Sequence, residues 1–237
     1  VFSMTASNEI ATKTPDTLLS GNTTVDIIKS CIPSIRNPWE IPMTDIYTIL
    51  AAIRMASYGG NINAKNTCTE CGEENNYDID IQNMLAHFAK GNFEDSVVID
   101  NMKFSLRALT FRELNEINKQ NFKLQRTLLQ AVPNITDENQ KAEEQQKVYD
   151  ALSVLRKNTV VSSIAKIEVD NEEETDLNEI AKFIENADKD FFVKVEQAVM
   201  RNNEQFIVPE TDIECANCGH KSKLNIELDY SNFFAQG

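Results

Sequence analysis

The stretch Cys68-Thr-Glu-Cys-Gly72 returns 147 residues later as Cys215-Ala-Asn-Cys-Gly219. After each copy, apolar and polar residues alternate, over residues 76–81 and 224–228. This alternation predicts a β-strand that leaves each cysteine pair, and the glycine after the second cysteine allows the positive φ of a tight turn. The sequence therefore contains two copies of one Cys-x-x-Cys-Gly turn, which we call the first knuckle (68–72) and the second knuckle (215–219).

Two knuckles supply four thiolates, the number that a tetrahedral Zn²⁺ ion needs. We therefore predict one structural zinc ion per chain, in a closed site whose ligands are Cys68, Cys71, Cys215 and Cys218. Iron in a rubredoxin-like site would use the same donor pattern, and the sequence does not separate the two metals. Rubredoxins are short chains without a long insertion between their cysteine pairs, so zinc is the preferred metal.

Two other interpretations of the four cysteines remain open at this point. In the first, the two knuckles are independent redox dithiol pairs. In the second, the four cysteines are ordinary thiols. A redox Cys-x-x-Cys pair usually opens a helix, whose dipole lowers the pKa of the thiol. Because each pair here is followed by a predicted strand, the redox interpretation is disfavoured.

The long separation of the knuckles predicts the fold class. It is α+β, with split zinc-ribbon β-hairpins from both halves of the chain and a mainly helical insertion between them. The hydrophobic content of 41% is enough for a real core. The expected organisation is a flexible or partner-ordered arm over 1–24, an N-terminal helix with the first knuckle over 25–93, the helical insertion over 94–203, and the second knuckle, which completes the ribbon, over 204–237.

Local patterns predict several individual elements. Apolar residues at helical spacing predict a helix over 45–57, capped by Thr44 or Asp45 and stopped by Gly59-Gly60. Asp100-Asn101 predicts the turn of a β-hairpin, and Thr110 with Glu113 has the form of a capping box. Further predictions are helices over 138–157, 177–185 and 191–201, strands over 61–66 and 164–169, a strand formed by 206–208 and Ile213 on either side of Pro209, and an acidic loop over 171–175.

The charge of the chain bears on its partners. Asp and Glu number 37 against 23 Lys and Arg, and the formal net charge is −14. Such a surface repels phosphate backbones, since nucleic-acid affinity comes largely from Lys and Arg. We expect protein partners, and neither direct nucleic-acid contact nor membrane insertion, because no apolar run approaches the ~20 residues of a membrane span. We see no signal-peptide pattern at the start, so the expected compartment is reducing.

The remaining reactive residues give little basis for catalysis. His220 follows the second knuckle and is interpreted as an exposed residue rather than a ligand, because four thiolates already complete the site. His87 is interpreted as partly buried packing, and Cys31 as a small core hydrophobe. No nucleotide-binding glycine loop and no Ser–His pattern occur. We therefore predict no catalytic residues, no cofactor-binding residues other than the metal ligands, and no small-molecule substrate.

The residues before the first knuckle resemble a known family. The stretch 45–59 contains the predicted helix and ends in Ile-Arg-Met-Ala-Ser-Tyr-Gly, and it is followed by a Cys-x-x-Cys-Gly knuckle and then a helical region. This order resembles the T4-type baseplate hub family of contractile-tailed bacteriophages, sometimes described as hub assembly proteins. The resemblance covers residues 25–235, and its specific part is 45–81. The shared four-cysteine site rests on the internal repeat and not on the resemblance.

The resemblance implies a non-enzymatic component or assembly factor of the tail baseplate. It would contact other baseplate or tail proteins, in the host cytoplasm during assembly and then in the virion tail. Two alternatives come from the zinc ribbon itself: a transcription regulator that contacts polymerase or nucleic acid, and, with iron, a rubredoxin-like electron carrier. The net charge of −14 and the lack of a basic–aromatic face disfavour direct nucleic-acid contact by such a regulator.

Overall fold

The computed structural model describes residues 1–12, 21–170 and 172–226. The described chain is of the α+β class, with small antiparallel sheets. It divides into two units. The first unit contains both ends of the sequence, Val1–Asn92 and Gln205–Gly237, and the second is Phe93–Glu204.

The described helices of the first unit precede the first knuckle or follow its hairpin. They are α1 (Ala6–Thr12), α2 (Asn22–Cys31), the 3₁₀ turn Pro38–Glu40, α3 (Met43–Tyr58) and α4 (Ile81–Phe88). The predicted apolar face of α3 is confirmed, since Ile46, Leu50 and Ile53 are fully buried. The predicted stop at Gly59-Gly60 is confirmed, since α3 ends just before Gly59, which has φ 88°. The predicted caps are wrong, because the helix begins after Pro42 and takes no side-chain cap.

Each knuckle is the turn of a two-stranded hairpin. The first hairpin joins β1 (Asn61–Thr67) to β2 (Glu74–Asp80), and the second joins β7 (Thr211–Glu214) to β8 (Lys221–Leu224). Thr67 pairs with Glu74 in the first, and Glu214 with Lys221 in the second. Both pairs lie 147 positions apart, so the two hairpins share one register.

The strands around the knuckles differ from the predicted bounds. Both strands that leave a knuckle start earlier than predicted, because the turn fixes the pairing directly after the cysteines. The second of them, β8, also ends at Leu224, so the prediction of a strand over 225–226 is wrong. The strand predicted over 206–208 and at Ile213 forms only around Ile213. It is β7, which begins after Pro209, a residue that lacks the N–H that a ladder needs. Asp80 ends β2 and caps α4, accepting a hydrogen bond from the Gln82 N–H. Residues 227–228 of the predicted last strand lie outside the described residues.

The arm expected over 1–24 contains regular structure in its described part. Residues 6–12 form α1, and α2 begins at Asn22. The Phe2 N–H donates to the Cys31 carbonyl over 2.8 Å, and the Met4 N–H donates to the Ser57 hydroxyl over 2.9 Å. These bonds tie the start of the segment to α2 and α3. Residues 13–20 of the expected arm lie outside the described residues.

The second unit is built on an antiparallel sheet of order β3-β4-β5-β6. Its strands are Ser96–Ile99, Met102–Leu106, Ile164–Val169 and Glu172–Glu174. The predicted turn between β3 and β4 is confirmed, and Asp100 and Asn101 adopt φ 47° and 67°, values that suit a two-residue hairpin. The acidic loop prediction is wrong over the three glutamates, which form the exposed edge strand β6 instead. Asp170, with φ 50°, lies in the turn that leads from β5 to β6. Residue 171 lies outside the described residues.

Helices of the second unit are α5 (Phe111–Arg126), α6 (Glu138–Ser162), α7 (Leu177–Asn186) and α8 (Lys189–Glu204). The predicted capping box is confirmed at the start of α5, where the Thr110 hydroxyl and the Glu113 carboxylate each accept from the other's backbone N–H. A π-helical turn, Thr127–Ala131, and a 3₁₀ turn, Val132–Asn134, lead from α5 toward α6.

The core of the second unit lies between its sheet and its helices. Phe104, Ile164, Ile180 and Val195 are fully buried there. Each buried aliphatic or aromatic side chain contributes about 1.5–3 kcal/mol.

Candidate metal centre

The two knuckles have the same backbone hydrogen bonds. In the first, the Gly72 N–H donates to the Cys68 carbonyl and the Cys68 N–H donates to the Glu73 carbonyl, each over 2.9 Å. The second knuckle repeats both bonds at the same lengths 147 positions later, with His220 in the place of Glu73. The internal repeat of the sequence is thus a repeat of the backbone.

Glycine is required at the end of each knuckle. Gly72 has φ 73° and Gly219 has φ 72°, in the left-handed region that glycine enters without steric cost. The predicted positive φ is confirmed in both copies. A Cβ at Gly72 would meet no atom within 4 Å, so its conformation alone explains the choice of residue.

The four cysteine sulfurs form one cluster. All four Sγ atoms lie within 4.8 Å of one another. Cys68 and Cys218 approach to 3.7 Å, as do Cys71 and Cys215, and each of these pairs joins one knuckle to the other. Four sulfurs at about 2.3 Å from a central zinc ion would lie about 3.8 Å apart at the corners of a tetrahedron. A disulfide needs about 2.05 Å, so these distances fit a metal site and not cross-linked sulfurs.

Burial divides the cysteines in the same way in both knuckles. The first cysteine of each pair is buried, with Cys68 6% and Cys215 4% exposed. The second cysteine, Cys71 or Cys218, is exposed. One side of the cluster therefore faces solvent, and the other is sealed by the hairpins.

Asn75 is a residue of the site that no sequence pattern indicates. It is 7% exposed, and its Nδ2 donates to the Cys215 sulfur over 3.4 Å and to the Glu73 carbonyl over 3.1 Å. Its Oδ1 accepts from the Ala216 N–H over 3.0 Å. Asn75 thus joins β2 of the first hairpin to the turn of the second. The repeat hides it, since the residue 147 positions later is Ser222.

Two further polar contacts cross between the hairpins. The Asn217 Nδ2 donates to the Cys71 sulfur over 3.6 Å, and the Tyr77 hydroxyl donates to the Glu214 carbonyl over 3.2 Å. Together with Asn75, these contacts hold the two hairpins in the arrangement that brings the sulfurs together.

The knuckle backbone favours a thiolate at Cys215. Hydrogen bonds from the backbone of Cys218 and of Asn217, with one from the Asn75 side chain, lower the pKa of Cys215 to about 6. At Cys218 a hydrogen bond from the His220 backbone lowers the pKa, but contacts with the thiols of Cys71 and Cys68 together with desolvation raise it to about 12. Four sulfurs this close do not all ionise unless a cation compensates their charge.

The other candidate residues lie outside this cluster. His220 is half-buried rather than exposed, and it contributes its backbone carbonyl to the second knuckle. His87 is half-buried, with its ring edge-on to Phe88 at 5.9 Å. Cys31 is fully buried, as predicted, and burial raises the pKa of its thiol.

Comparison with protein families gives a match over almost the whole chain. Residues 3–235 match the family described as T4 bacteriophage base plate protein. Neither the curated proteins nor the solved structures include a match to this chain. The family match extends over almost the whole chain, beyond the segment 45–81 on which the resemblance depends.

Proposed function

The chain belongs to the T4 bacteriophage base plate protein family, and on this premise we propose that it is a structural or assembly component of the hub region of a contractile tail baseplate. It acts through contacts with other baseplate and tail proteins. A zinc ion bound by Cys68, Cys71, Cys215 and Cys218 stabilises the unit that contains both ends of the chain.

The sulfur cluster supports the zinc part of the proposal. Four thiol donors at near-tetrahedral spacing suit Zn²⁺, and no histidine or carboxylate belongs to the cluster among the described residues. One ion per chain would fix the first hairpin to the second. In small zinc domains such binding contributes on the order of 10 kcal/mol to folding. Iron fits the same donors, and elemental analysis of the purified protein distinguishes the two metals.

A closed four-sulfur site supports a structural role. Catalytic zinc sites keep one coordination position open for water or substrate, whereas here every position would be taken by cysteine. The family is one of structural baseplate proteins, and we propose that this member also acts without turnover.

Partners and location follow from the family. We infer assembly in the host cytoplasm and a final place in the virion tail. The net charge of −14 favours protein partners over phosphate backbones. Among the described residues, the helices are all too short or too polar to cross a membrane.

The role is tested by deleting the coding sequence from the phage and supplying the protein from a plasmid. We expect electron microscopy to show tails without complete baseplates in the deletion, and normal tails after complementation with the natural sequence. Complementation with Cys68→Ser should fail, while Cys31→Ala serves as the matched cysteine control. Complete baseplates in the deletion strain would refute the proposed function.

The hub position is tested separately by locating the chain within the particle. A fused tag that binds a gold label should appear at the centre of the purified baseplate. Label at the periphery would refute the hub assignment while leaving the baseplate role intact.

A further inference from the structure

In the second unit, α5 and α6 form an antiparallel helical hairpin. At its base, the Arg107 N–H just before α5 donates to the carbonyl of Ser163, just after α6, over 2.9 Å. At its tip, the π-helical and 3₁₀ turns over 127–134 connect the two helices. On each helix a line of half-buried or buried residues has the spacing i, i+4, i+7, i+11, and from this burial we infer the line along which the helices pack. These residues are Ile117, Asn121, Leu124 and Leu128 on α5 and its π-helical extension, and Lys141, Gln145, Val148 and Leu152 on α6.

One side of this hairpin is exposed and carries no charge. We call it the uncharged face; it consists of Asn118, Phe122, Gln125 and Leu129 on α5 with its extension, and Ala142, Gln146, Tyr149 and Ser153 on α6. Phe122 is 45%, Leu129 77% and Tyr149 54% exposed. Charged residues make up 25% of the chain, yet none occurs here. The centres of protein interfaces are likewise poor in charge and rich in aromatic residues.

Helical geometry places both halves of this face on the same side of the hairpin. On both helices, every residue of the uncharged face comes directly after a residue of the buried line, for example Phe122 after Asn121 and Tyr149 after Val148. One residue is a rotation of about 100° around a helix. Because the helices are antiparallel, this step turns clockwise on one helix and counter-clockwise on the other when both are viewed from the same end, so it carries both sets to one side of the hairpin.

The two edges of the uncharged face have opposite charge. On α5, the residues that each follow a member of the uncharged face by one position form its outer edge, and they include Lys119, Lys123 and Arg126. Among the described residues, no carboxylate lies within 4.0 Å of Lys123 or Arg126. The corresponding edge on α6 includes Glu143 and Asp150. Lys147 lies between them and pairs with Glu143 over 2.9 Å. The α5 edge is therefore basic, and the α6 edge has a net negative charge.

We propose that the uncharged face binds the same face of a second copy of this chain, forming an antiparallel four-helix bundle with its twofold axis parallel to the helices. In this arrangement α5 lies over α6 of the second copy. The basic edge with Lys123 and Arg126 then meets the acidic edge with Glu143 and Asp150. A twofold axis across the helices would instead stack α5 on α5 and oppose two basic edges, so the charges select the first arrangement.

The size of the face indicates a weak dimer. From Asn118 to Leu129 the helix extends over about 16 Å, which gives an interface at or below the lower end of stable complexes, ~1,200 Å² in total. The bulk charge of −14 on each copy also opposes association. We therefore expect dimerisation to depend on concentration. The proposal concerns the second unit and does not rest on the proposed baseplate role.

Sedimentation velocity on the purified, metal-loaded full chain tests this proposal over a concentration series. We expect the mass to rise from monomer to dimer, and the Phe122→Ser/Leu129→Ser double variant to stay monomeric. Val98→Ser is the matched control, because Val98 is 68% exposed on β3 and lies outside the face. Circular dichroism and bound metal confirm that each variant is folded.

A charge exchange tests the arrangement without removing apolar groups. Lys123→Glu with Arg126→Glu should abolish the dimer, and adding Glu143→Lys with Asp150→Lys in the same chain should restore it. A natural chain that is monomeric at every concentration would overturn the proposal. So would a dimer that the Phe122/Leu129 variant leaves intact, or a charge exchange that restores nothing.

Discussion

The sulfur atoms of Cys68 and Cys218 lie 3.7 Å apart, although 150 positions separate the two residues in the sequence. The same distance joins Cys71 to Cys215. Each close pair takes one cysteine from each knuckle, so neither knuckle completes the site alone. A metal ion bound here would close a loop of about 150 residues, and the entropic cost of closing a loop rises only slowly with its length.

Replacing one cysteine of either knuckle should have the same effect. We expect Cys68→Ser and Cys215→Ser each to lower bound zinc from one ion per chain towards zero, and to reduce the free energy of unfolding by similar amounts, because every ligand belongs to one site. Elemental analysis and chemical denaturation measure both effects. Cys31→Ala is the control, with full metal content. A Cys68→Ser variant that keeps one tightly bound ion would show that the site is not shared.

Alanine at the knuckle glycines should cost stability through the backbone alone. Gly72→Ala and Gly219→Ala each force an alanine to φ near 73°, and we expect each to lower the free energy of unfolding by about 1–2 kcal/mol. No severe clash adds to this cost, since the nearest atom to either new Cβ is the Glu214 Oε1 at 3.8 Å from position 219.

Gly60→Ala is the control for these two variants, since its φ is not positive and no atom lies within 4 Å of a Cβ there. Thermal and urea unfolding of the metal-loaded proteins measure the difference. Equal stability of Gly60→Ala and Gly72→Ala would contradict the account.

The contacts of Asn75 should matter for metal affinity. Asn75→Ala removes the hydrogen bonds to the Cys215 sulfur and the Ala216 N–H, and groups that orient ligands in this way typically contribute about 10–100-fold to metal affinity. Competition with a chromophoric chelator measures the affinity. Asn76→Ala, at an exposed neighbour, should leave it unchanged. If both variants bind zinc as tightly as the natural chain, Asn75 has no role in orienting Cys215.

The ion pair at the start of α5 should make stability depend on pH in the acid range. Hydrogen bonds from Arg107, ahead of those from Thr110, lower the pKa of Glu113 from 4.5 to about 2. A lowered folded-state pKa stabilises the fold above pH 4.5, and this contribution is lost as the pH falls from 4.5 towards 2.

Glu113→Gln tests this dependence by difference. Near neutral pH it should lower the free energy of unfolding by about 1 kcal/mol, a modest value because the Glu113 side chain is 34% exposed. Between pH 4.5 and 2 the gap to the natural chain should close. A gap that stays constant over this range would exclude the carboxylate as its source. Taking the difference removes the common effect of zinc loss in acid.

Local sequence patterns predicted those elements whose cause is local. The Asp100-Asn101 turn, the Thr110 capping box and the positive φ of Gly72 depend on the residues that adopt them, and the structure confirms all three. The clustering of the four cysteines was also predictable, because a Cys-x-x-Cys pair supplies only half of a tetrahedral site.

Tertiary pairing decided what the sequence did not predict. The glutamates of β6 carry no strand signal, and they form a strand because β5 offers an open edge. Asn75 joins the two hairpins, a role invisible until both are placed side by side. The early start of β2 and β8 follows from hydrogen bonds that close each knuckle, and these extend the ladder to the cysteine turn itself.

X-ray absorption at the zinc edge of the purified chain is the most direct test of the shared metal centre. We predict one zinc ion per chain with four sulfur neighbours at about 2.3 Å and no nitrogen or oxygen neighbour. A spectrum with fewer than four sulfur neighbours, or a chain purified under reducing conditions that binds no zinc or iron at all, would contradict the account.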